Sequence, residues 1–279
     1  MEEKIECDDE STIFDHNIDS RHATKGARNR LKAIKQYSLV SLHVDRLVEF
    51  QLILATFCTG VQDAVSYPDF RCFASNQTGN TVVLAVGIAN NSYSSESNSL
   101  FHLPNVATSL CMFLAGAIIT GQLGNYFGAR RRLWQFVSNL VQTLLIVGAA
   151  GIHFLHKVQQ TGPWTIATVA LLAFSSGAQV AAARAFRIQE ITTAMATAAW
   201  VDLVIDPNLF GTSNHPRNRR AIFLAALIAG SFAGAYAYAK LGSSVTLLIS
   251  ASGKAIVTAI MLVSKESTEM YEEPSNTIV

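Results

Sequence analysis

Six stretches of this chain are each close to the twenty or so mostly apolar residues that a helix needs to cross a bilayer. They are Leu47–Tyr67, Asn105–Phe127, Leu133–Leu155, Trp164–Ala183, Ala221–Ala239 and Ser243–Val263. Nothing else in the sequence constrains the fold as strongly. Backbone placed in hydrocarbon must satisfy its own hydrogen bonds, so such stretches are helices. Only 15% of the residues are charged, against about 25% in a soluble domain. The charges also gather before residue 47, at 128–132, at 184–220 and after 264. A length of 279 residues would permit one or two soluble domains, but this patterning predicts an all-α, polytopic transmembrane helical bundle. The expected organisation is a disordered cytoplasmic tail at 1–46, a transmembrane domain at 47–264 and a C-terminal tail at 265–279. The first tail starts acidic and turns basic, and "RLKAIKQYSLV" suits an amphipathic surface helix. It has no apolar core for a cleavable signal, so the first span is expected to direct its own insertion.

Two further segments are marginal. Phe73–Ala89 contains "NQTGNT", and Ile191–Ile205 is short and contains Asp202. Cytoplasmic loops are enriched in Lys and Arg. The basic tail and "ARRR" at 129–132 therefore read as cytoplasmic, and the connection "NNSYSSESNSLFHLPN", which has no Lys or Arg, does not. The bias is consistent only if Phe73–Ala89 dips in and returns to its side of entry. Arg184 and Arg187 before Ile191–Ile205, and Arg217, Arg219 and Arg220 after it, require the same of that segment. Six spans, two re-entrant segments and two cytoplasmic termini follow.

The chain also repeats itself. "GVQDAVSY" at 60–67 parallels "GAQVAAAR" at 177–184, "NQTGNTVVL" parallels "TAMATAAWV", and "AGAIITGQLGNYFG" at 115–128 parallels "AGSFAGAYAYAKLG" at 229–242. Repeat one covers 47–155 and repeat two 164–263. Three spans per repeat make the halves oppositely oriented, a plan that recurs in secondary transporters with the site near the midplane.

Candidate site residues follow from polarity where polarity is costly. Asn76, Thr78, Gly79, Asn80 and Thr81 lead into "VVLAVGIA", with Thr78 or Asn80 as the cap of a half-helix whose positive end faces inward. The plainer reading is that these side chains tie helices together. Gln62 and Asp63 in the first span, Gln179 in its counterpart, Asp202, and Lys254 near the middle of the last span complete the set. Intramembrane charges mark function by default, and Asp63 or Asp202 is the expected partner of Lys254. The plainer readings are an interfacial cap for Asp63, the membrane edge for Asp202 and snorkelling for Lys254. The glycine ladders at 116, 121 and 124 and at 230 and 234 are read as packing surfaces.

Other chemistry finds little support. The four cysteines have no CxxC spacing and the seven histidines no ligand spacing. His153 and His156 read as interfacial. The phosphate-loop, dinucleotide, zinc-protease and serine-hydrolase motifs are missing, so no enzyme and no cofactor is expected.

"TGVQDAVSY…SNQTGNTVVLAVG" resembles the first signature of the YoaK-like membrane proteins (domain of unknown function 1275), at Gly60, Asp63, Ala64, Thr78, Gly79, Asn80 and Thr81. A second signature matches at Gly177, Gln179, Thr192, Thr193 and Asp202, and departs at Val180, where Asn is expected, and Ala198, where Gly is expected. The resemblance spans roughly residues 47–264 and implies a multi-pass membrane protein with no established activity. The function expected from the architecture is a transporter or channel for a small solute or ion; a non-transporting scaffold or sensor is the alternative. Expected partners are the lipid bilayer and that solute or ion. A homo-oligomer is left open, and nothing points to nucleic acid.

Overall fold

The structure is a computed structural model that describes residues 40–42, 44–91, 102–156 and 159–264. Most of both expected tails, and the connection at 92–101, lie outside the described residues. The described residues form α1 (Arg46–Phe70), α2 (Gln77–Asn91), α3 (Leu103–Phe127), α4 (Arg132–Leu155), α5 (Pro163–Arg184), α6 (Thr197–Val204) and α7 (His215–Met261). Four of these, α3, α4, α5 and α7, are long and apolar enough to cross a membrane.

At 47 residues α7 is too long for one crossing, and its backbone breaks at Gly242 (φ 80°, ψ 174°). Contacts with α1 show that its two arms run in opposite directions. Along the first arm Arg219 pairs with Glu49, Gly230 meets Phe57, Gly234 meets Val61, and the Tyr238 hydroxyl donates to Asp69. Both chains advance together, so the arm is parallel to α1. Along the second arm Gln62 donates to Ser250, Cys58 meets Gly253, and Gln51 donates to Ser264. Here the order reverses. The two expected spans at 221–239 and 243–263 are therefore one helix by hydrogen bonding and two by direction.

The loops define two ends. At the arginine-rich end, the Leu42 N–H donates to Arg130 O at 2.9 Å, Arg130 Nε donates to Ala185 O at 3.1 Å, and Arg132 donates to Ser264 O. Ser41 bridges Arg131 and Leu42 is buried against Val48, Leu52 and Phe186. The last residues before α1 are thus anchored, where the sequence predicts disorder. At the opposite end, Asn105 Nδ2 donates to Phe70 O at 3.0 Å and to Gln160 O at 2.9 Å. The chain leaves the bundle at this end after Phe70 and is part of it again there from Leu103, and residues 185–214 leave and rejoin at the arginine-rich end. α2, with 15 residues, reaches only about 22 Å, and α6, with 8, about 12 Å. Neither matches the roughly 30 Å of a hydrocarbon core. Both Thr-rich segments return to the end they came from, as the charge bias requires.

α1 is the most polar long helix and carries Gln51, Gln62, Asp63 and Asp69. More than half of it is buried, both glutamines included. Outward faces are apolar instead: Leu114 and Ile118 on α3, Leu140 and Leu144 on α4, and Phe232 and Tyr236 on α7 are all exposed. Apolar outside and polar within is the arrangement that lipid favours and water does not.

The halves grip each other through close crossings. A Cβ on Gly177 of α5 would fall on the Phe113 carbonyl of α3, and one on Gly116 would fall on the Phe174 carbonyl. A Cβ on Gly60 of α1 would lie 2.6 Å from the Leu227 carbonyl of α7, and one on Gly230 would fall on the Phe57 carbonyl. Gly60 and Phe57 correspond to Gly177 and Phe174 at one offset. Gly116 and Phe113 correspond to Gly230 and Leu227 at another, so each contact in one crossing has its counterpart in the other. The chain reverses at corresponding glycines too, Gly128 (φ 94°) and Gly242 (φ 80°), at opposite ends of the bundle.

Candidate functional site

"NQTGNT" is a knot of hydrogen bonds within the protein. The cap of α2 is Asn76, whose Oδ1 accepts from the Gly79 N–H at 3.1 Å. The expected caps, Thr78 and Asn80, sit inside the helix. Asn80 is fully buried and faces the loop that precedes it. Its Oδ1 accepts from the Phe73 N–H at 2.9 Å. Its Nδ2 donates to Phe73 O at 2.8 Å, Gln77 Oε1 at 2.9 Å and Ser109 Oγ on α3 at 3.1 Å. Ser109 in turn donates to Phe73 O at 2.7 Å. Asp63 holds the same loop from α1, accepting from the Ser75 N–H at 2.9 Å and from the Ser75 hydroxyl. Since Asp63 lies seven residues before the end of α1, this tie is about 10 Å inside the bundle. Gly79 packs tightly on Asn76 and Phe73, with 3.3 Å to a Cβ placed there. Asn76, Thr78 and Thr81 point outward, and Thr81 donates to Gln77 O.

The second half lacks this knot. Val180 stands where Asp63 would, and Thr197 stands where Asn80 would, so neither the loop tie nor the amide bridge can form. Thr193, the counterpart of Asn76, has φ 62°, and its buried hydroxyl has no partner. The helix starts a turn later and has only eight residues. Asp202 on it is half exposed and lies 3.8 Å from Arg220.

Lys254 occupies a different place. It is fully buried, about 18 Å along its arm from Gly242 and about 15 Å from Ser264 at 1.5 Å per residue. Its stem is too short to reach either end. The expected pairing with Asp63 or Asp202 does not occur, because Ser75 engages the first and Arg220 the second. Lys254 Nζ donates instead to Gln142 Oε1 on α4 at 2.5 Å. Gln142 Nε2 donates to Ser138 at 3.0 Å, and the Ser175 hydroxyl of α5 donates to Gln142 O at 3.2 Å. One turn before Lys254, Ser250 accepts from Gln62 at 3.0 Å and donates to Cys58 O at 3.1 Å. Gln179, the counterpart of Gln62, donates to Thr59 Oγ1 at 2.8 Å. A layer of amides, hydroxyls and one lysine amino group thus links α1, α4, α5 and the second arm of α7 around mid-depth. Gln62 Oε1 is buried there without a donor.

Sequence reasoning placed Gln62, Gln179 and Lys254 among the candidates and missed Gln142, Ser138 and Ser250. A signal for the first two was present: Gln135, Ser138, Asn139 and Gln142 form a polar stripe at helical spacing on an otherwise apolar span. Gly230 and Gly234, read as a packing ladder, are used within the chain against α1, whereas Gly121 has nothing within 4 Å. Among the described residues no group of three metal-ligating side chains occurs. A cavity of about 10 Å³, the room of one water, lies at the end opposite the arginines, lined by His153, His156, Trp164 and Thr165. Both ring nitrogens of His153 are buried without partners, and His156 stacks on Trp164 at 3.9 Å.

Residues 51–260 match the sequence model of a family described as protein of unknown function (DUF1275). No curated protein and no solved structure matches the chain.

Proposed function

We propose that this chain, which belongs to the DUF1275 family, carries a small solute or ion across a membrane. The observation that carries the proposal is the buried polar layer around Lys254 and Gln142, built where two oppositely running halves meet. An ionisable side chain and several amides in the middle of a bundle with apolar outer faces are costly for mere packing, and inverted halves around a mid-depth site suit alternating access. The working groups in this reading are Lys254, Gln142, Gln62 and Gln179. Asp63, Asn76, Thr78, Gly79, Asn80 and Thr81 brace the first half, and Asp202 lies at the edge of the second, beside Arg220. The arginine-rich end, with Arg130, Arg131, Arg132, Arg217, Arg219 and Arg220, faces the cytoplasm by the positive-inside rule, which puts both ends of the described chain there.

The second reading, a membrane scaffold or sensor without transport, is favoured by one observation: the Asp63 and Asn80 side chains find their hydrogen-bond partners within the protein. Flux measurement separates the two. The full chain is reconstituted into liposomes, and uptake of a panel of neutral solutes, cations and anions is compared with protein-free liposomes and with heat-unfolded protein. Transport predicts saturable uptake of at least one member. No uptake across the panel refutes the proposal in favour of the scaffold.

A further inference from the structure

Lys254 is fully buried, and every carboxylate among the described residues is engaged elsewhere. Asp45 caps α1, Glu49 and Glu190 face Arg219, Asp63 holds Ser75, Asp69 accepts from Tyr238, and Asp202 and Asp206 face Arg220. The titratable group that faces Lys254 from α1 is the Cys58 thiol. The polar groups of the layer on α4, Gln142 and Ser138, on α5, Ser175 and Gln179, and on its own arm, Ser250 and Thr258, are neutral. A lysine shut away from water without an opposite charge gives up its proton, so the layer holds an amine that donates to Gln142 Oε1. One acceptor is then left over. Gln62 Nε2 is spent on Ser250 and on the Cys58 carbonyl, while Gln62 Oε1 is buried without a donor. Ser250 precedes Lys254 by one turn on the same arm, so this amide and the amine belong to one cluster.

A proton can enter such a cluster without a cavity. It needs a basic nitrogen and an acceptor for the hydrogen it adds, and the layer has both. We propose that Lys254 is the proton-binding group of the carrier and that the proton is its coupling ion. This rests on the carrier reading above and names the ion that drives it. When the layer opens to water, hydronium protonates the amine lone pair: one N–H bond forms, one O–H bond of hydronium breaks, and water is left. The ammonium presents three donors, and on closing Gln62 Oε1 supplies a second acceptor beside Gln142 Oε1. The neutral amine ties the last arm of repeat two to α4 alone; the ammonium ties it to α4 and α1 together. Proton binding therefore changes the contacts between the halves, and only such a difference lets a ligand shift a conformational equilibrium. Opening on the far side returns the proton to water.

The test uses the full chain in liposomes that contain the pH dye pyranine, with the solute panel of the flux assay. A gradient of one pH unit is imposed in each direction. In one direction the transported solute should accumulate above equilibrium, up to about tenfold if one proton moves per solute, and pyranine should report matching proton movement. Lys254→Met should abolish both the accumulation and the proton movement, and Gln62→Met, which removes the second acceptor, should reduce them. Melting in detergent reads protonation apart from flux. The unfolded chain keeps the lysine proton up to about pH 10.4 and the folded layer does not. The melting temperature of the unaltered protein, relative to Lys254→Met, should therefore rise between about pH 7 and pH 10. Uptake blind to the gradient, or accumulation and melting slope unchanged in Lys254→Met, overturns the proposal while leaving the carrier reading standing. Accumulation unchanged in Gln62→Met does the same should Lys254→Met fail to fold. No uptake of any solute removes both.

Discussion

If the two glycine crossings are equivalent, alanine should cost the same at both and nothing at glycines that face open space. At Gly60 an added Cβ would sit 2.6 Å from the Leu227 carbonyl and 2.7 Å from the Ser231 nitrogen. Carbon-to-oxygen contact needs about 3.3 Å, so α1 and α7 must part by about 0.7 Å along that line. The obstacle is backbone, which cannot swing aside as a side chain would. Overpacking of this kind costs about 1–3 kcal/mol, and the better helix propensity of Ala returns about 1 kcal/mol. The net expectation is a loss of up to about 2 kcal/mol for Gly60→Ala, and at least as much for Gly116→Ala, Gly177→Ala and Gly230→Ala, where the overlap is deeper. Gly121 and Gly151 have nothing within 4 Å, so alanine there should be neutral or gain up to about 1 kcal/mol. The assay is the fraction of monodisperse protein after heating in detergent, with melting shifts of about 2–4 °C per kcal/mol expected for a chain of this size. If Gly60→Ala and Gly177→Ala melt with Gly121→Ala, the close crossings are not as described. If one falls and the other does not, the correspondence between the halves fails.

Other perturbations test the rest of the structure. Asn80→Ala leaves the Phe73 N–H without a partner and should cost about 1–3 kcal/mol, while Asn80→Asp, which keeps the acceptor, should fall between; equal melting of Asn80→Ala and unaltered protein would count against the knot. Gln142→Leu removes the acceptor of the buried Lys254 amino group and should cost about 1–3 kcal/mol, and adding Lys254→Met should recover most of that; additive losses in this cycle would show that the two side chains do not interact. Single cysteines at Ala129 and Ser213, in a chain with its own cysteines replaced, should react with an impermeant maleimide from one face of a vesicle, and cysteines at His102 and Gln159 from the other. Labelling of positions 129 and 159 from the same face would refute the six-span reading.

Much of this architecture was legible in the sequence because it rests on properties that are additive along the chain. Apolar length located α3, α4, α5 and α7, the helices fit to cross a bilayer, while α1, expected as the first span, is not among them; the loop arginines agree with the ends at which the chain turns back. The two halves aligned because glycines recur wherever helices touch closely. What escaped depended on contacts between distant residues. No local signal says that Asn80 turns back to Phe73 and across to Ser109, which leaves the capping to Asn76. Nor does one say that Lys254 takes an amide for a partner: charges invite pairing with charges, and Gln142 lies 112 residues away. The shortening of α6 was half visible in Val180 and Ala198, which depart from the second signature of the family the chain resembles. Its extent also needed the positive φ of Thr193, which only the folded loop reveals.

The crossing of α1 with α7 has a consequence for how the protein is made. Gly60 must wait for Gly230, and roughly 170 residues of translation separate them, about 10–30 seconds at 5–20 residues per second. For that interval a helix bearing Gln51 and Gln62 has been synthesised while their partners Ser264 and Ser250 have not. Lipid is a poor host for those side chains, so the nascent chain depends on the insertion machinery to shelter its opening helix until its last hairpin arrives. A ribosome that stops between the halves releases a product that no bilayer will readily keep.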